Sequence, residues 1–159
     1  MSDIIRLWVE ISHHSAFRSG GWGYVRAEGR ALTGAAGGER TPSPDRIALA
    51  ALLAALKDLP PNAAVEVHSA TARITGAGRR VAELEAGGEP PAEDLELWAQ
   101  LSAALKAHPA RFAAAANQLR TPTAFAAAWA ELARDKAKAA GAFRAAIPKT
   151  NLAKAGVPA

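Results

Sequence analysis

Hydrophobic positions run almost unbroken through Ile4-Ile5-Arg6-Leu7-Trp8-Val9 and stop at a single carboxylate, Glu10. β-branched and aromatic side chains fit a pleated, buried surface, so this stretch predicts a strand. A polar loop follows to Ser19. From Gly20 to Glu28, Trp22 and Tyr24 alternate with small or charged residues, which predicts a second strand. Glu28-Gly29 predicts a tight turn, and Arg30 to Ala36 reads as the return strand. Ser43-Pro44 then supplies a helix cap and a proline at the first helical position. The helix carries Ile47, Leu49, Leu52, Leu53 and Leu56, and Pro60-Pro61 stops it. Val65 and Val67 share one face of a short strand over 64–69.

The second half is less regular. Thr71 to Gly76 has room for a short helix. The segment 81–91, with Gly87-Gly88 and Pro90-Pro91, reads as a loop. Glu93-Asp94 open a strong helix through Leu95, Leu97, Trp98, Leu101 and Leu105 to His108, with charges that suit the helix dipole. Arg111 to Ala116 is too rich in alanine for periodicity alone to decide. A last helix starts at Thr121-Pro122 and reaches about Ala140. Residues 145–159 contain Pro148, Gly156 and Pro158 and read as a flexible basic tail on a domain spanning 1–144. The resulting order is three hairpin strands, helix, strand, two helices, strand, helix. That is an α/β layout around a mixed sheet. Trp8, Trp22, Trp98 and Trp129 are all expected in the core.

Composition bounds the function. The 159 residues suffice for one domain with a sizeable core. No cysteine is present, which removes disulfides and thiolate metal sites. No apolar run has membrane length, and the N-terminus lacks signal-peptide regions, so a cytoplasmic location is expected. The net charge of +4 mildly favours anionic partners.

Four segments carry a resemblance. Gly20-Gly21-Trp22-Gly23-Tyr24-Val25 after a strand resembles the first hairpin of bacterial-type ribonuclease H. Ser43-Pro44-Asp45-Arg46-Ile47-Ala48-Leu49-Ala50-Ala51 is similar to that family's first-helix segment. Glu96-Leu97-Trp98-Ala99-Gln100-Leu101 and Trp129-Ala130-Glu131-Leu132-Ala133-Arg134 resemble two further helices of it. The matches fall in the family's order over about 4–140. The resemblance implies a ribonuclease H-like fold, with a mixed five-stranded sheet flanked by helices.

The same resemblance implies lost chemistry. The family cleaves the RNA strand of an RNA–DNA hybrid with two divalent ions held between carboxylates. Its first aspartate falls on Glu10, and its other three carboxylates fall on Ala48, Ala70 and Ala130. Its mobile histidine falls near Arg120. Its hybrid-reading asparagines fall on Ala16, Pro44 and Asp45, and a glutamine falls on Ala72. One carboxylate cannot hold two magnesium ions, which need oxygen ligands. The expectation is a pseudo-enzyme with no catalytic residues, no metal and no cofactor.

Other residues are candidates for binding. His13-His14 beside Glu10 offer a rebuilt metal or acid–base site. Arg18, Arg40, Arg46, Arg79 and Arg80 are candidate phosphate contacts, or ordinary solvated surface. Ser43 is either a phosphate-pocket hydroxyl or a helix cap. At the C-terminal end Arg134, Lys136, Lys138, Arg144, Lys149 and Lys154 face only Asp135. Such a basic end suits nucleic acid without sequence preference. The leading reading is an inactive ribonuclease H-like protein that binds nucleic acid, either RNA–DNA hybrid or duplex. The alternatives are a protein-interaction or structural module and an enzyme with a rebuilt site. Partners are nucleic acid or protein, with no membrane.

Overall fold

The computed structural model describes residues 4–158. A single six-stranded sheet forms the centre, in the order β5-β4-β1-β2-β3-β6. β1 (Ile5–His14), β2 (Ser19–Glu28) and β3 (Ala31–Arg40) form an antiparallel meander. β4 (Val65–Ser69) lies parallel to β1, and β5 (Ala110–Ala114) lies parallel to β4. β6 (Phe143–Ala146) runs antiparallel along the free edge of β3.

Alternation along β1 sends Ile5, Leu7 and Val9 to one face and Trp8 and Glu10 to the other. The first face is covered by α1 (Pro44–Leu56), with Ile47, Leu49 and Leu52 fully buried, and by α4 (Leu95–Ala107), which contributes Leu101. The second is covered by α5 (Pro122–Ala140). Between β4 and α4 the chain forms α2 (Ala72–Thr75) and α3 (Ala77–Glu85). α6 (Lys149–Leu152) follows β6.

Three expectations are corrected. The sheet has six strands, because part of the segment read as a tail pairs with β3. Ile147, Leu152 and Ala155 are buried beside Trp8, Val25 and Ala27, and Gly156 passes against the Arg120 carbonyl. The prolines and glycine that suggested flexibility instead bend a docked strap. The loop read over 81–91 begins as helix: α3 reaches Glu85 because Val81 packs into the core, and turns begin only beyond it. Trp8 and Trp22 are buried as expected, whereas Trp98 and Trp129 are only partly so.

Candidate functional site

Glu10 stands on β1 opposite Gly23, and Gly21 and Gly23 leave the face of β2 beneath α5 without side chains at these positions. A Cβ on Gly21 would collide with the Ala130 carbonyl and the Arg134 nitrogen. The missing side chains therefore let α5 sit directly on β2, with Ala130 fully buried there. From the next turn, Arg134 Nη1 donates to Ser12 Oγ at 2.8 Å. Ala70 lies just past the end of β4, and Ala48 lies on the buried face of α1.

The Glu10 carboxylate is buried and turned onto the chain that leaves β4. The Ala70 amide donates to Oε2 at 2.7 Å. The Thr71 hydroxyl donates to Oε1 at 2.8 Å and the Ser69 hydroxyl to the same oxygen at 3.1 Å. Ser69 Oγ in turn accepts from the Thr71 amide at 3.0 Å, which closes the turn. Burial pushes the Glu10 pKa upward. The three hydrogen bonds, Ala70 foremost, pull it down but only partly offset this.

This donor arrangement does not fit the two divalent ions of a ribonuclease H. A carboxylate has about four acceptor positions, and three of Glu10's receive protein hydrogens. The positions to which the sequence resemblance assigns further carboxylates carry the methyl groups of Ala48, Ala70 and Ala130. Among the described residues no group of three or more His, Asp or Glu side chains is placed to hold a metal ion.

The rebuilt site around Glu10, His13 and His14 is not formed. His13 Nε2 lies 2.8 Å from the Thr41 carbonyl. The His14 ring lies 5.7 Å from Phe17. Neighbouring strand residues point to opposite faces, so the two imidazoles diverge.

The candidate cations divide into separate groups. Arg46 is engaged internally, with Nε 3.0 Å from Glu39 Oε2 and Nη1 3.0 Å from Asp94 Oδ1, contacts that raise its pKa. Ser43 is the cap of α1, its hydroxyl accepting from the Arg46 amide at 3.1 Å. Arg80 donates to the Glu89 carbonyl, while Arg79 is exposed on α3. Arg18, Arg40 and Lys138 gather where the β1–β2 turn meets the end of α5, whereas Lys136, two positions earlier, points to the opposite side of the helix. Arg40 donates to the Lys138 carbonyl at 2.8 Å, and Lys138 stands 3.4 Å above the Phe17 ring. Lys136 lies 4.5 Å from the Phe143 ring. Sequence reasoning passed over Phe17, and the available signal was an aromatic residue inside an otherwise polar turn.

The solved structure described as LC9-RNase H1, a type 1 RNase H with the type 2 active-site motif, matches with a TM-score of 0.68. The match covers 98% of this chain and 86% of that one, at 13% identity. The likeness establishes the class: this is a protein of ribonuclease H-like fold. No protein-family model and no curated protein matches the sequence. Among the described residues no helix is long and apolar enough to cross a membrane.

Proposed function

We propose that this chain is a ribonuclease H-fold protein without hydrolytic activity that works as a nucleic-acid-binding module. The observation that carries the loss of activity is the bond from the Ala70 amide to Glu10. It joins two positions that the ribonuclease H resemblance assigns to metal ligands. A carboxylate held this way neither gathers ions nor activates water. Support for binding is the concentration of Arg18, Arg40 and Lys138 at one end of the sheet in a chain of net charge +4. Phosphate neutralisation by such cations supplies affinity without sequence preference.

The test has two arms. Purified protein is incubated with labelled RNA–DNA hybrid and either magnesium or manganese, and no cleavage is expected. Metal-dependent cleavage abolished by Glu10→Ala would overturn the inactive reading. In the second arm, binding to hybrid, duplex and single strands is followed as salt is raised. A steep loss of affinity with salt is expected. Absence of binding to every form at low salt would remove the nucleic-acid reading and favour a protein-interaction module on the same fold.

A further inference from the structure

The β1–β2 turn carries an aromatic ring that the core does not use. Phe17 is 52% exposed. It sits between His14 and Ser19, which end and begin the two strands and face each other in the ladder. Ser19 in turn pairs with Arg40, so His14, Ser19 and Arg40 form a row across this end of the sheet. Arg18 follows Phe17 with a positive φ of 48°, and its amide closes the turn onto the Ser15 carbonyl at 3.3 Å. The turn therefore presents Phe17 and Arg18 together as exposed neighbours.

The last turn of α5 is pinned beside them. Arg40 donates to the Lys138 and Ala139 carbonyls, which also offsets the negative end of the helix dipole. With the helix held there, the Lys138 ammonium covers one face of the Phe17 ring. Lys136, about 200° round the helix from Lys138, faces Phe143 and lies outside this patch. The acidic side chain within this part of α5 is Asp135, and it is paired with Arg134.

We infer that this end of the sheet binds single-stranded nucleic acid. One base stacks on the exposed part of the Phe17 ring, and the flanking phosphates are held by Arg18 and Lys138. The inference rests on the nucleic-acid reading above and narrows it. The chemistry of the patch selects the strand type. A phenyl ring amid cations offers a base a flat apolar face and a phosphate a charge, the pairing used by single-strand binders. Bases inside a duplex are already stacked on one another and present only their edges. Edge and 2′-hydroxyl reading needs polar side chains, and the positions the family uses for it hold Ala16, Pro44 and Ala72 here, with Asp45 turned to Arg73.

The experiment is fluorescence anisotropy of the full chain with labelled oligothymidine and, separately, with a blunt hairpin duplex. Phe17→Ala is expected to weaken oligothymidine binding about tenfold while changing hairpin binding less than about twofold. Phe17→Trp is expected to restore or tighten it. Lys138→Gln is expected to flatten the salt dependence by about one phosphate contact, whereas Arg79→Ala leaves both ligands unaffected. Both Phe17 and Lys138 are exposed, and circular dichroism confirms that the variants fold. If the chain binds nucleic acid but Phe17→Ala leaves oligothymidine unchanged, this site is wrong while the broader reading stands. If Phe17→Ala weakens hairpin and oligothymidine equally, the strand preference is wrong. If nothing binds, both readings fall.

Discussion

The Ala70 amide nitrogen lies 2.7 Å from Glu10 Oε2 and donates to it, on the edge of a turn whose two hydroxyls take up the other oxygen. The bond links the end of β4 to the middle of β1. It places a backbone donor at the carboxylate where another acid would create repulsion. The fold thus closes over Glu10 by hydrogen bonding.

The first consequence concerns metal. With one caged carboxylate, the melting temperature is expected to be unchanged by millimolar magnesium or manganese. Ala70→Asp adds a like charge at an exposed position beside Glu10. It is expected to lower the melting temperature by a few degrees in chelator and to recover part of that loss when magnesium is added. A scanning-fluorimetry series with and without metal checks both statements. A metal-stabilised parent protein would contradict them.

The second concerns pH. The folded Glu10 pKa is raised, so the folded state binds its proton more tightly than the unfolded chain does. Glu10 therefore favours folding when protonated. That contribution is complete below the unfolded carboxyl pKa and is lost as pH rises through the folded value. Glu10→Gln removes this titration. Urea unfolding of both proteins between about pH 4 and pH 7 is expected to show the parent losing stability relative to the variant as pH rises. The difference between the two curves isolates Glu10, since the other groups titrate in both.

The third concerns the strap after α5. Leu152 is 2% exposed and packs with Ile147, Val25 and Trp8. Leu152→Ala is expected to cost about 2–3 kcal/mol, in the range for truncating a buried leucine. Removing residues 145–159 is expected to cost more, because it also strips β3 of its pairing with Ala145 and Ala146. Chemical denaturation of each variant gives the value. A loss under about 0.5 kcal/mol for Leu152→Ala would show that the strap is not docked in solution.

The fourth concerns the glycines under α5. Gly21→Ala places a methyl group against the Ala130 carbonyl and the Arg134 nitrogen, both backbone atoms that cannot rotate away. It is expected to destabilise by about 3 kcal/mol or more and to push α5 off the sheet. Gly29→Ala is a contrasting case. No atom lies near its added methyl, but its φ of 61° still exacts the smaller cost of left-handed backbone. Thermal unfolding of the two variants side by side checks the order.

Much of this molecule is legible without coordinates. The apolar run from Ile5 to Val9, the Trp22 and Tyr24 alternation, Ser43-Pro44 and Thr121-Pro122 are local signals. They specify β1, β2 and the starts of α1 and α5, because strand period and helix capping depend on residues a few positions apart. The alanines at 48, 70 and 130 are equally local facts, since a methyl group cannot ligate a metal wherever it lies. The tertiary structure alone decided what depends on distant partners. Phe143-Arg144-Ala145-Ala146 has no strand pattern strong enough to stand by itself. It becomes β6 because β3 offers an unpaired edge. Ile147 and Leu152 look like isolated apolar residues in a proline-containing segment until Trp8 and Val25 give them a pocket. His13 and His14 are adjacent in sequence yet diverge, because the strand sends neighbours to opposite faces. Phe17, Arg18, Arg40 and Lys138 are spread over more than a hundred positions, and only the approach of α5 to the β1–β2 turn brings them together. Short-range periodicity fixes the elements, whereas the chemistry of a surface is fixed by which elements the packing makes neighbours.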